Sequence, residues 1–169
     1  MKVWKVKRND IPRLVELDND AYGVHGANEK YFTEKLKKFR NGIFVCEQNK
    51  EITGFIAVYV LEEKEISNDF CELHLKEPIK GKWMHIIAFT TLTNYKDKKH
   101  DGALVAAAEK FARQKGCLAS YVPLSKEHPF EKHGVFDFWK ENGYRIAGKI
   151  QWVSPTKEKV ECDLYNKHL

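Results

Sequence analysis

Trp83-Met84-His85-Ile86-Ile87-Ala88-Phe89-Thr90-Thr91 opens the segment that decides how this chain folds. It is apolar, aromatic and β-branched, which predicts a buried strand. Asn94-Tyr95-Lys96-Asp97-Lys98-Lys99-His100-Asp101 follows as a polar, lysine-rich turn. Leu104, Val105, Ala108, Phe111 and Ala112 then recur at i, i+1, i+4, i+7 and i+8, one apolar helix face, and Gly116 stands where a helix C-cap belongs. A strand feeding a loop that opens a helix directs free backbone N–H groups and the positive end of a dipole at one spot. Anions, phosphates above all, bind at such places.

Three stretches in order carry a family likeness. Lys96-x-x-Lys99-x-Asp101-x-x-Leu104, continued by Ala107-Ala108-Glu109-Lys110-Phe111-Ala112, resembles the Q/R-x-x-G-x-G/A diphosphate loop and helix of the GCN5-related N-acetyltransferase superfamily. Lys99 and Asp101 replace the two loop glycines, and Lys98-x-x-Asp101-x-Ala103 is a competing register. Val135-Phe136-Asp137-Phe138-Trp139-Lys140-Glu141-Asn142-Gly143-Tyr144 resembles that family's closing F-Y-x-x-x-G-F helix and turn, and Glu161–Leu169 its final strand. The resemblance covers about the last half of the chain; the first half agrees more loosely.

The resemblance implies an α/β fold: a mixed, mostly antiparallel sheet flanked by about four helices, built as one N-acetyltransferase domain over residues 1–169. It implies acetyl-CoA as co-substrate and a small-molecule or peptide amine as acceptor. A bulge in the cofactor strand, placed near Phe89, Thr90 and Thr91, would free a backbone N–H for the thioester carbonyl. The loop N–H groups of Asp97 to Gly102, through Lys98, Lys99, His100 and Asp101, would hold the diphosphate, with Lys96, Lys98 and Lys99 adding positive charge. In this register the Asp101 carboxylate falls among the phosphates, so Asp101→Gly should tighten cofactor binding.

Acetyl transfer also asks for a base and an acid. His85, eleven residues before Lys96, is the first choice of base, since an imidazole with an ordinary pKa of about 6.5 takes a proton near neutrality; the alternative is a core histidine. Glu62 and Glu63 are substitutes. Trp139 takes the place of the family's usual tyrosine, and an indole N–H donates without releasing a proton; Trp139 either packs on the pantetheine arm or serves the core. Either the thiolate leaves unassisted, or another group serves, with Tyr121, Tyr144 and His133 the acids on offer. The missing glycines and tyrosine also suit a rival reading, a protein of this fold that binds CoA or another ligand without turnover.

Composition agrees with a globular chain. The 169 residues are 43% hydrophobic and 12% aromatic, enough for a substantial core. No apolar run reaches a membrane span and the first residues lack a signal-peptide core, so a cytoplasmic protein that does not engage the membrane, monomer or homodimer, is expected. Lys and Arg number 29 against 24 Asp and Glu. That mild excess comes with no RNP, zinc-finger or helix-turn-helix pattern, and no nucleic-acid partner is expected. Cys46, Cys71, Cys117 and Cys162 are widely spaced, which reads as reduced buried thiols rather than disulfides or a metal site. Glu127-His128-Pro129-Phe130-Glu131-Lys132-His133 matches no standard ligand spacing, so no metal is assigned; the stretch is a polar loop or a substrate contact.

Upstream, Lys2–Lys7 reads as a first strand. A helix follows, N-capped by Asn9 or Asp10 and carrying Ile11, Leu14, Val15, Ala21 and Tyr22 on its apolar face. A second helix is expected over about Asn28 to Arg40, with Phe32, Leu36 and Phe39 inward. A β-hairpin comes next, over Ile43–Glu47 and Ile52–Leu61. Residues 62–82 exceed what a hairpin connection needs, and an extra strand or flap is expected there. Cys117–Val122, Arg145–Val153 and Val160–Tyr165 complete the strands.

Overall fold

The computed structural model describes residues 1–38, 41–154 and 156–169. In chain order the elements are β1 (Lys2–Lys5), α1 (Ile11–Tyr22), α2 (Glu29–Lys38), β2 (Ile43–Gln48), β3 (Glu51–Leu61), β4 (Phe70–Leu75), β5 (Trp83–Thr91), α3 (Lys98–Gln114), β6 (Ala119–Ser125), α4 (Val135–Glu141), β7 (Arg145–Val153) and β8 (Lys159–His168). Three short 3-10 turns join them. Phe39 and Arg40, the expected end of the second helix, and Pro155 in the last turn lie outside the described residues. No helix among the described residues is long and apolar enough to cross a membrane.

The strands form one sheet in the order β1-β2-β3-β5-β6-β8-β7-β4. Every pairing is antiparallel except β5 with β6, which the α3 crossover makes parallel. The α/β class and the mixed sheet flanked by four helices thus agree with the sequence. Leu104, Val105, Ala108, Phe111 and Ala112 are all buried, as their spacing requires. Gly116 ends α3 in a left-handed conformation (φ +79°) and Gly143 ends α4 likewise (φ +91°).

Residues 62–82 do form an extra strand, and its place is informative. β4 pairs with β7 at the far edge of the sheet, so the segment crosses one sheet face before returning to β5. Phe70 stacks on Trp83 at 6.1 Å between centroids, and Lys35 of α2 meets Asp69 at 3.6 Å. The crossing is therefore pinned by an aromatic contact and by a largely buried ion pair. All four cysteines are free thiols, three buried and Cys71 half-buried.

The decisive irregularity lies in β5. Ala57 faces Ala88 while Val58 faces Ile86, so Ile87 is an extra residue against β3. Met84, Ile86 and Phe89 join the core on one side of the sheet; Trp83, Ile87 and Ala88 join the other. Two successive residues on one face are what a bulge produces. It sits two residues nearer the N-terminus than Phe89–Thr91, where the sequence placed it.

Candidate functional site

β5 and β6 pair at only three positions, Trp83↔Ala119, Met84↔Ser120 and His85↔Tyr121. Beyond them the bulge turns β5 aside and the two strands part. The gap is a cavity of about 580 Å³, walled by Ile86–Thr90 on one side and Val122–Ser125 on the other. Asp18 and Tyr22 enter from α1, Tyr95 from the loop before α3, Trp139 from α4, and Ser154 and Glu158 from the β7–β8 turn. That size and apolar lining suit a small-molecule site.

The free edge of β5 is chemically usable. The Tyr22 hydroxyl donates to the Phe89 carbonyl at 3.3 Å, so that carbonyl faces the cavity side of the strand. In a strand the N–H and C=O of one residue point the same way, and the Phe89 N–H therefore faces the gap too. Thr90 does something else. Its hydroxyl donates to Asp18 Oδ1 at 2.8 Å, while Asp18 Oδ2 accepts from the Ala27 N–H at 2.7 Å. Burial raises the Asp18 carboxyl above its ordinary range, partly opposed by these two bonds. Burial and the Asp18 charge both push the Tyr22 phenol upward, so it keeps its proton.

Asp18 escaped the sequence reading, yet a signal existed. Leu14, Asp18 and Tyr22 step by four along α1, which puts a carboxylate on the apolar stripe. A charge on that stripe is either paired in the core or facing a cavity.

The structure separates the sequence-predicted residues. Phe89, Thr90 and Trp139 line the cavity. His85 does not. It is fully buried, its Nδ1 lies 2.9 Å from the Ser67 hydroxyl, Phe70 packs on its ring at 4.3 Å, and Nε2 has no hydrogen-bond partner among the described residues. Burial, helped by the Lys35 charge, pushes its pKa down to about 3. It is a core histidine, neutral at pH 7, and the base role expected of it is corrected accordingly. Tyr121 packs edge-on against Trp83 at 5.4 Å away from the cavity, and burial raises its pKa. The Tyr144 hydroxyl is spent on Glu109 and Ser120. His133 stacks on Phe130 outside the cavity wall. His128 does line it, and burial lowers its pKa to about 4.

The mouth of α3 differs most from expectation. Asp97 is the N-cap, and its Oδ1 accepts from the N–H groups of Lys99 (3.1 Å) and His100 (2.9 Å). Asp101 is wholly buried: its carboxylate accepts from the Tyr95 N–H and the Thr93 hydroxyl and contacts His100 Nδ1 at 2.8 Å. The other ring nitrogen of His100 meets Thr53 of β3 at 2.8 Å, and Thr91 bonds Thr93. Asp101 thus ties the loop to the sheet and does not face a phosphate, which removes the basis for expecting Asp101→Gly to tighten cofactor binding. Lys96, Lys98 and Lys99 are exposed around this mouth, Lys98 pairing with Glu141, and Gly102 begins the second turn of α3.

Residues 11–144 match the acetyltransferase (GNAT) family. The chain belongs to that family. Solved GNAT-fold structures agree across the whole length. Ard1 from Thermoplasma volcanium superposes with a TM-score of 0.73 at 11% identity, over 99% of this chain and 97% of that one. The loading GNATL domain of CurA from Lyngbya majuscula gives 0.74 at 14%, over 99% and 96%. A chain of the NatB acetyltransferase complex bound to CoA and MES gives 0.73 at 13%, over 100% and 99%. At such identities the likeness is one of fold. No curated protein matches this GNAT sequence.

Proposed function

We propose that this protein is an N-acetyltransferase that moves the acetyl group of acetyl-CoA to an amine by direct attack on the thioester. The observation that carries the reading is the parting of β5 from β6 at the Ile87 bulge, which opens a slot edged by unpaired main chain. The family match and the NatB structure solved with CoA support it.

In this reading the pantetheine arm lies between Ile86–Thr90 and Val122–Ser125, and the Phe89 N–H donates to the thioester oxygen as charge grows there. The amine enters beside Asp18, whose carboxylate takes the proton as the N–C bond forms. The C–S bond breaks and CoA leaves as thiolate, with the protonated phenols of Tyr22 and Tyr95 the O–H donors in the wall. At the diphosphate end, the Asp97 carboxylate must turn outward before Lys99 and His100 can offer their N–H groups. That same closure favours the second reading, a CoA-binding protein without turnover.

Release of free thiol from acetyl-CoA across a panel of amines separates the two. Turnover that falls at least about tenfold in Asp18→Asn, with the melting point and CoA affinity retained, supports the enzyme and the role of Asp18. CoA binding without thiol release for any amine would leave the passive binder.

A further inference from the structure

One string of side chains crosses the gap between β5 and β6, from Asp18 of α1 to Trp139 of α4. It begins at the Asp18 carboxylate, where Oδ2 accepts from the Ala27 N–H at 2.7 Å and Oδ1 from the Thr90 hydroxyl at 2.8 Å. The Thr90 hydroxyl also meets the phenol of Tyr22, one turn along α1 from Asp18. Tyr22 in turn meets Tyr95, and Tyr95 meets the Trp139 indole. All five side chains line the cavity.

Donor chemistry gives the string a direction. An indole N–H can only donate, so the Tyr95 oxygen accepts from Trp139. The single hydrogen of Tyr95 then goes to Tyr22, and that of Tyr22 to the Phe89 carbonyl at 3.3 Å. This last link is long for an O–H donor, and it ends on the free edge of β5, beside the slot. Tyr95 is held in place firmly. Its backbone is left-handed (φ +70°), which bulky residues rarely accept, and its N–H donates at 2.9 Å to the buried Asp101 carboxylate, itself backed by His100. Phe130 braces the Tyr22 ring edge-on at 5.6 Å.

Resting on the acetyltransferase reading above, we infer that Tyr22 is the acid that protonates the departing thiolate, and that Thr90 returns to Tyr22 the proton that Asp18 takes from the amine. As the N–C bond forms, the amine proton passes to Asp18. As the C–S bond breaks, the Tyr22 hydrogen leaves the Phe89 carbonyl for the sulfur. Asp18 then gives its proton to the Thr90 oxygen while the Thr90 hydrogen moves to the Tyr22 oxygen. One proton has gone from nitrogen to sulfur, and all three side chains are back in their starting state. Tyr95 and Trp139 are positioning residues. They donate toward Tyr22, which aims its hydrogen at the slot and steadies the phenolate while it exists.

Thiol release from acetyl-CoA over a panel of amines tests the order of the string. Tyr22→Phe should lower kcat at least about tenfold, with KM for acetyl-CoA and the melting point retained. Thr90→Val should do the same, and Thr90→Ser, which keeps the hydroxyl, should recover most of the rate. Tyr95→Phe should cost only about threefold, as one lost neutral hydrogen bond allows. An undiminished kcat in Tyr22→Phe, a Thr90→Ser as slow as Thr90→Val, or a larger loss in Tyr95→Phe than in Tyr22→Phe overturns the inference. If no amine releases thiol, the acetyltransferase reading fails by itself, and a titration of bound CoA decides on Tyr22 without turnover. Followed by thiolate absorbance, the CoA thiol should ionise about one pH unit lower on the unaltered protein than on Tyr22→Phe, because a phenol at the sulfur favours the thiolate. Equal ionisation on the two proteins, or no CoA binding at all, ends the proposal.

Discussion

β5 and the mouth of α3 are neighbours in sequence, but one leaves its backbone groups open and the other closes them. Past His85 and Tyr121 no strand among the described residues pairs with the β6-facing edge of β5, and the cavity exists because of that. At the start of α3, by contrast, Asp97 and Asp101 take up the N–H groups of Lys99, His100 and Tyr95. A glycine-lined loop has no side chains with which to do this. The difference teaches that a bulge can preserve a binding slot whatever the local side chains are, whereas donors at a helix N-terminus are available only when no nearby carboxylate reaches them first.

The contrast can be broken at its strongest point. Asp101→Ala removes the buried acceptor for Tyr95, Thr93 and His100 and strands those donors in the core. It should cost about 3–5 kcal/mol of stability in urea denaturation, while a loss under about 1 kcal/mol would mean that the closed mouth is held by something else.

On the β5 side, acid should act through His85. Its folded pKa of about 3 lies below the unfolded value, so the unfolded chain binds the proton first. Stability is complete above about pH 6.5 and falls as pH drops toward 3. Between pH 6 and 4 the protein should lose on the order of 1 kcal/mol of stability per pH unit more than the His85→Asn variant. Parallel acid profiles for the two would place His85 in contact with water and reopen its candidacy as a base.

The smallest effect sharpens the comparison best. Asp97→Ala should cost about 1 kcal/mol as a lost N-cap, yet tighten CoA binding in calorimetry, because it frees the Lys99 and His100 N–H groups. Weaker or unchanged CoA binding would show that the diphosphate does not use this mouth.

Local pattern made much of this legible. The run Trp83–Thr91 reads as a strand because it is apolar and β-branched, α3 because five apolar residues share one face, and its end because Gly116 tolerates a left-handed backbone. The surplus length of 62–82 announced an extra strand or a flap, though not that a strand there would pair with β7 at the opposite edge. Individual site residues were harder to place. His85 and Asp18 are both titratable groups in apolar surroundings, and neighbours alone do not say which of the two meets a cavity.

What the sequence determined by itself is the order and type of most elements, which rest on short-range periodicity and turn chemistry, and the family likeness, which rests on three motifs standing in the right order. What only the tertiary structure decided is which polar groups are spent and which are open. Ser67 comes from 18 residues before His85 to bond it, and Thr90 lies 72 residues beyond the Asp18 it holds. Whether a donor is free depends on what the fold brings within about 3 Å of it, and separation along the chain carries no record of that distance.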